Sequence, residues 1–162
     1  VGSEMCIRDS LNGEGDGGML QTFSSKALDG TGILGKKVEY VTGDTQTKPD
    51  AARASARSMI EKDGAIMITG GSSSGVAISV QALCQKVGII FMAGLTHSND
   101  ITGKDKKANG FRHVFNSYMI GAALAPVLVD RYGSDRKAYH LTADYDWDYT
   151  TEEAVRLSLI HI

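Results

Sequence analysis

Three short stretches of the chain hold residue types that could do chemistry. Gly70-Gly71-Ser72-Ser73-Ser74-Gly75 offers backbone N–H groups and serine hydroxyls. If it joins a strand to a helix, those groups sit at the positive end of the helix dipole, where a carboxylate or phosphate fits. The serines could equally do no more than cap the helix. It is not a P-loop, because the Lys-Ser/Thr pair that should follow the glycines is absent. Gly94-Leu95-Thr96-His97-Ser98-Asn99 adds neutral hydrogen-bonding groups around one histidine. A lone loop histidine is more often solvated than catalytic. Asp144-Tyr145-Asp146-Trp147-Asp148-Tyr149 alternates acids with aromatics. The acids resemble a calcium loop, but Tyr149 and Val155 stand where its glycine and bidentate glutamate belong. The aromatics can wall a small-molecule pocket, or Trp147 can simply pack under its loop.

Other searches come back empty. His97, His113, His140 and His161 share no metal-ligand spacing. Cys84 falls on the apolar stripe of its helix and reads as an inert core thiol. The Lys104-Asp105-Lys106-Lys107 run reads as a solvated face. No catalytic residue, metal or cofactor is expected.

The elements that must position these stretches alternate between strand and helix. Residues 11–18 are glycine-rich and acidic and read as a loop, and 19–28 could form a short helix. A strand is expected at 37–42, then a helix from Pro49 to about Lys62 with Ala52, Ala56, Met59 and Ile60 on one stripe. Gly64 stops it. Residues 65–69 form a short apolar strand suited to burial on both faces. The next helix carries Val76, Val80, Leu83, Cys84 and Val87, and Gly88 ends it. Strands follow at 89–93 and 111–115. Asn116 or Ser117 caps a helix with Ile120, Ala123, Leu124, Val127 and Leu128, ended by Gly133. A further strand is expected at 137–142, a loop at 144–151, and a last helix from Thr151. This alternation argues a doubly wound, parallel α/β sheet. Ligands of such sheets sit beyond the carboxyl ends of the strands, where all three stretches fall.

Composition agrees with a globular domain. The 162 residues are 42% hydrophobic and 22% charged, with a net charge of −2. No basic tract suggests nucleic acid, and no apolar run reaches the ~18 residues of a membrane span. The ends look foreign. Met5-Cys6-Ile7-Arg8-Asp9-Ser10 can be encoded ATG TGT ATA AGA GAC AG, and Leu157-Ser158-Leu159-Ile160-His161-Ile162 by its reverse complement. Residues 1–10 and 157–162 are therefore expected to be translated library adapter, leaving 11–156 as the natural stretch. Any signal peptide would lie upstream. With 1–10 set aside, no apolar strand precedes Met19, so the sheet is expected to lack its first, central strand. Such a sheet would expose unpaired edges and leave the chain unstable.

Several motifs in order carry a family resemblance. Gly32-Ile33-Leu34-Gly35-Lys36-Lys37 leads into a strand, followed by Gly43-Asp44-Thr45 and the Pro-Asp-Ala-Ala-Arg helix start at Pro49. The Gly-Gly-Ser-Ser-Ser turn, the Val-Gly-Ile-Ile-Phe-Met strand, Ile101-Thr102-Gly103-Lys104-Asp105, Gly110-Phe111-Arg112 and Ala143-Asp144-Tyr145-Asp146-Trp147 continue the match. Together they resemble the type I periplasmic binding proteins, in the branched-chain amino-acid class of ABC-transporter substrate-binding proteins, over roughly residues 30–156. The resemblance implies most of the N-terminal lobe of a two-lobed receptor, truncated and without its first strand. It implies a non-enzymatic protein of the periplasm that takes an amino acid or similar small carboxylate and delivers it to a membrane permease. By position, Ser73 and Ser74 would grip the carboxylate. Leu95, Thr96 and His97 would contact carboxylate and amine, and Trp147 would lie against the ligand. His97 is bulkier than the small residue common there, and Asp148 replaces the glycine that usually follows the aromatic. Two other readings stand beside it. One is an extracellular sensor domain of the same fold. The other is a nucleotide-binding α/β oxidoreductase, which needs a G-x-G-x-x-G turn that the chain does not show.

Overall fold

A computed structural model describes residues 2–8 and 38–160. Five parallel strands form one sheet in the order β2-β1-β3-β4-β5. They are β1 (Gly2–Arg8), β2 (Val38–Asp44), β3 (Met67–Gly70), β4 (Ile90–Ala93) and β5 (Gly110–Arg112). The helices are α1 (Pro49–Lys62), α2 (Ser74–Val87), α3 (Ser117–Tyr132) and α4 (Asp146–Ile160), with a 3-10 turn at Asn99–Ile101. The expected helix at 19–28 and loop at 11–18 lie outside the described residues. Among the described residues, no helix is long and apolar enough to cross a membrane.

The sheet does not lack its central strand. β1 pairs with β2 along its whole length and with β3 from Glu4 to Ile7. That corrects the expectation of a missing first strand, and with it the unpaired centre from which instability was expected. The reason is physical. A parallel ladder is built from backbone N–H and C=O groups, and those are indifferent to the coding origin of the residues. Gly-Ser-Glu-Met-Cys-Ile-Arg is no apolar run, so it carries none of the usual signal of a central strand.

The parallel register lines up the strand ends. Asp44 pairs with Arg8, Gly70 with Ile7 and Ala93, and Ala93 with Arg112. The loops after β3, β4 and β5 therefore leave from one edge. The chain winds from β1 outward to β2, then returns to place β3 on the other side of β1. The crevice between such oppositely wound halves opens at this edge.

Local signals explain the helices that cover the sheet. Pro49 opens α1, and Gly64 follows its C-cap with φ +69°. Ala52, Ala56 and Met59 are its buried face. α2 ends on Gly88 in the left-handed region, whose N–H donates to Cys84 O at 2.9 Å. Val76, Ala77, Val80, Leu83 and Cys84 of α2 join the α1 face, Ile68, Phe91, Ala93 and Ile101 in the core. Val87 does not; it is exposed at the helix end. The strand at 65–69 is covered on both faces where it pairs: Ile68 and Thr69 point to opposite sides of the sheet and both are buried, while Ile66, just before β3, is exposed.

Burial pushes the Cys84 thiol up to about 12. Its thiolate fraction near pH 8 is then on the order of 1 in 10,000. Iodoacetamide is expected to leave Cys84 unmodified in the native chain and to label it once urea unfolds the protein. Mass spectrometry of the Cys84 peptide checks this; native labelling at the unfolded rate would mean the core is open.

The second half of the chain departs most from expectation. β5 stops at Arg112 and does not run to Phe115. Residues 137–142 form no strand, and Tyr139 and Leu141 are fully solvent-facing. A strand needs a ladder partner, and among the described residues none lies beside this segment. Residues 146–151 are not loop, because α4 begins at Asp146. It runs on through Ile160, so the residues from 157 on, expected to be adapter, continue the helix that Asp146 begins. In α3, the Asn116 side chain accepts from Met119 N at 2.9 Å, as a cap should. The buried face of α3, however, is Ser117, Gly121 and Ala125, while Ala123, Leu124 and Val127 are exposed. Small residues win because α3 and α4 pack backbone to backbone: a Cβ at Gly121 would stand 2.5 Å from Ala154 O.

Candidate functional site

The β3–α2 turn is the first wall. Ser73 is the N-cap of α2 with φ −96° and ψ 127°, and its side chain makes no capping bond. The first helical bond runs from Ala77 N to Ser73 O at 3.0 Å. The amides of Ser74, Gly75 and Val76 thus precede the first i→i−4 bond, and they form the positive end of a 14-residue helix. Gly71, Ser73 and Gly75 also stand at nucleophile-elbow spacing. The backbone at Ser73 is ordinary extended chain, not a strained turn, and no hydrogen bond links it to a histidine.

Ser74 is buried, and its Oγ accepts from Ser98 N at 3.3 Å. That bond ties the turn to the β4 loop. The loop is held from other sides as well. Arg112 donates to Ser98 O at 2.7 Å and to Thr102 Oγ1 at 2.5 Å. Ser117 N and Oγ both donate to His97 O, at 2.9 and 3.2 Å. Tyr118 N donates to Asn99 Oδ1 at 3.0 Å. Burial lowers the Arg112 guanidinium pKa.

His97 is not a solvated loop residue. It is buried, and its ring stacks on Phe115 with centroids 4.2 Å apart and planes 3° from parallel. Nδ1 lies 3.0 Å from Phe115 O, so in the neutral ring Nδ1 carries the hydrogen and Nε2 is the acceptor. Trp147 lies in the first turn of α4, 5.5 Å from the His97 ring and tilted by 54°. Tyr145 meets Trp147 edge-on at 6.2 Å. Four rings, Phe115, His97, Trp147 and Tyr145, thus stand in a row from the β5–α3 segment across the β4 loop to the start of α4, each within aromatic-pair distance of the next.

Of the expected site residues, the structure brings Ser74, His97 and Trp147 into one connected patch. Ser73 stands beside them at the helix end. Thr96 is buried with an unpartnered hydroxyl, and Leu95 is exposed. The indole Nε1 of Trp147 is enclosed without a partner. Packing under the loop therefore describes Trp147 as it stands, against His97. The sequence reading had Ser98 as a neutral hydrogen-bonding residue of the His97 loop and missed Phe115 and Ser117 as parts of the patch. Asn116-Ser117 carried a local signal only as a helix cap, and Phe115 is set by long-range packing.

The electrostatics of α4 centre on its acids. Asp148 accepts from Ala143 N at 3.0 Å, reaching back over the helix start. Burial, with Asp148 beside it, pushes the Tyr145 phenol up; Asp144 does the same for Tyr149. Lys104 pairs with Asp100 at 2.6 Å, which raises the lysine pKa, while its side chain stays exposed as on a solvated face. Among the described residues, no three His, Cys, Asp or Glu side chains cluster to hold a metal.

A wide groove lies elsewhere, between the C-terminal ends of α3 and α4. It has a volume of about 770 Å³ and is lined by Arg131, Arg136, Lys137, His140, Arg156 and apolar residues. It shares no residue with the patch above.

The fold has known counterparts. A periplasmic binding protein of Burkholderia mallei superposes with a TM-score of 0.86 at 19% identity, covering 99% of this chain and 44% of that one. An ABC-transporter solute-binding protein of Rhodopseudomonas palustris, solved with 3,4-dihydroxybenzoic acid, gives 0.83 at 17% identity, over 99% and 44%. A leucine-binding protein of Thermotoga maritima gives 0.81 at 18% identity, over 99% and 46%. The chain thus spans under half the length of these proteins. No match was found among curated protein sequences. The family model described as periplasmic binding protein matches residues 18–160. With most of its length inside that match, and with the parallel sheet and covering helices of the solved type I lobes, the chain belongs to the type I periplasmic binding proteins.

Proposed function

We propose that this chain is the ligand-gripping part of an ABC-transporter solute receptor for a small carboxylate, either an amino acid or an aromatic acid. One observation carries the reading: the amide-bearing start of α2 is tied by Ser74 to the loop that holds the stacked rings of His97 and Trp147. An N-terminal helix end suits a carboxylate, and flat rings suit the body of the ligand. The leucine-binding and dihydroxybenzoate-bound relatives both fall within this ligand range. Ser73 and Ser74 hold the carboxylate, Leu95, Thr96 and His97 line the loop, and Trp147 covers the ligand. Loaded receptor then docks on a membrane permease from the periplasmic side. We also read residues 1–10 and 157–162 as adapter-encoded, around a natural stretch at 11–156; sequencing the source DNA across both junctions tests that.

The experiment is a calorimetric titration of the receptor extended to its full reading frame, against L-amino acids and hydroxybenzoates. One class is expected to bind. Ser74→Ala combined with Trp147→Ala should weaken it by at least about tenfold, with the far-UV spectrum unchanged. Unaltered affinity in the double variant refutes the site, and binding by neither class refutes the ligand range.

A further inference from the structure

A single peptide group joins α3 to the start of α2. The carbonyl of the His97–Ser98 peptide accepts twice from Ser117, from its N–H at 2.9 Å and from its hydroxyl at 3.2 Å. The N–H of the same peptide, on Ser98, donates to Ser74 Oγ at 3.3 Å. A peptide whose carbonyl is engaged is a stronger donor at its N–H, because the two groups polarise each other across the C–N bond. On the far side of Ser98, Arg112 donates to Ser98 O at 2.7 Å and holds the residue from there. Ser74, Ser98 and Ser117 are each at most 1% exposed, so bulk water does not compete for these bonds.

The hydroxyls around Ser117 give the chain of bonds its direction. Thr150 donates its hydrogen to Trp147 O at 3.0 Å. Thr151 Oγ1 lies 2.9 Å from Ser117 Oγ, and among the described residues its hydroxyl has no other partner. Thr151 is therefore the donor to Ser117. The Ser117 hydrogen is left for His97 O, with Thr150 Oγ1 at 3.0 Å as the alternative acceptor. At the other end, Ser74 Oγ accepts from Ser98 and keeps its own hydrogen, which no acceptor takes among the described residues.

We propose that Ser117 is a positioning residue: acting through the His97–Ser98 peptide, it fixes the Ser74 hydroxyl as a donor at the start of α2, and through Thr151 it ties that donor to α4. An enclosed hydroxyl hydrogen without an acceptor is unfavourable, and a carboxylate oxygen at the helix end relieves it. The consequence for affinity rests on the carboxylate reading of the α2 start; the relay of hydrogen bonds does not.

The relay is read by NMR on the ligand-free 162-residue chain. Ser117→Ala removes the hydroxyl and keeps the backbone N–H. It is expected to move the His97 carbonyl carbon and the Ser98 amide proton upfield, as both lose hydrogen bonding. Thr151→Val keeps the shape of threonine, removes the donor to Ser117 and should move both resonances the same way by less. In the receptor extended to its full reading frame, titrated with L-leucine and with 4-hydroxybenzoate, Ser117→Ala should weaken binding about fivefold. In a Ser74→Ala background the same change should cost less than about twofold. If Ser117→Ala does not fold, Thr151→Val, at a half-buried position, carries both readouts. Resonances that stay in place overturn the relay. Equal losses of affinity in the two backgrounds overturn its role at Ser74 and reduce Ser117 to a packing residue of the α3–α4 seam. Binding of neither probe refutes the ligand range proposed above, while the resonances still decide the relay, so the two proposals fail separately.

Discussion

Replacing Gly121 with valine is expected to force α3 and α4 apart and to cost ~3 kcal/mol of stability. A Cβ there would stand 2.5 Å from Ala154 O, 2.6 Å from the Ala154 carbonyl carbon and 3.0 Å from Ser158 Oγ. The first two are backbone atoms of a regular helix and cannot swing aside as a side-chain tip can. Relief must come from moving one helix against the other. That would also strain Ser117, whose Oγ lies 3.0 Å from Thr150 Oγ1 and 2.9 Å from Thr151 Oγ1 across the same seam. Ala122, one residue on, is exposed, and Ala122→Val is expected to stay within about 0.5 kcal/mol of the parent. Urea unfolding of the two variants and the parent makes the comparison. A Gly121→Val chain as stable as its parent would show that the helices do not pack this closely.

The second large effect is expected at Gln81. This side chain is almost wholly buried and donates from Nε2 to Ile101 O at 3.0 Å and to Asp105 O at 3.1 Å. It thereby clamps the 3-10 turn and the polar stretch after it onto α2. Gly110 makes room for it: a Cβ at Gly110 would overlap Gln81 Oε1. Gln81→Leu keeps the approximate volume and removes both donors, leaving two carbonyls without their partner. The expected loss is ~3 kcal/mol. Amide hydrogen exchange should quicken across residues 99–110 ahead of global unfolding. Equal or greater stability in Gln81→Leu, with protection of that stretch unchanged, would remove the clamp from the account. Asp100 and Lys104 sit inside the clamped stretch, so the clamp also supports the loop on which His97 and Ser98 stand.

Both sites show where a one-dimensional reading stops. Proline, glycine and helical spacing placed α1 and α2 within a residue or two, because those signals act over one helical turn. The same spacing chose the wrong face of α3. Ile120, Leu124 and Val127 are more apolar than Ser117, Gly121 and Ala125, but only the small residues let two helix backbones come within contact. That preference belongs to the partner helix, and it cannot be seen in α3 alone. The strand expected at 137–142 fails for a related reason: alternation gives a segment the capacity to pair, and pairing needs a neighbour. β1 is the converse case, a segment with little apolar character that is paired on both sides through its backbone.

The candidate site divides along the same line. Residue order alone determined that the serine turn, the His97 loop and Trp147 follow successive elements. In a parallel sheet that is enough to send the first two to one edge. It also determined the family resemblance, which the match over residues 18–160 upholds. Tertiary structure alone decided that Ser74 reaches Ser98, and that His97 stacks on Phe115 and takes its tautomer from a carbonyl 18 residues away. Hydrogen bonds and ring contacts act over a few ångströms between groups far apart in the chain. Their partners are chosen by how the helices settle on the sheet, and no local pattern records that choice.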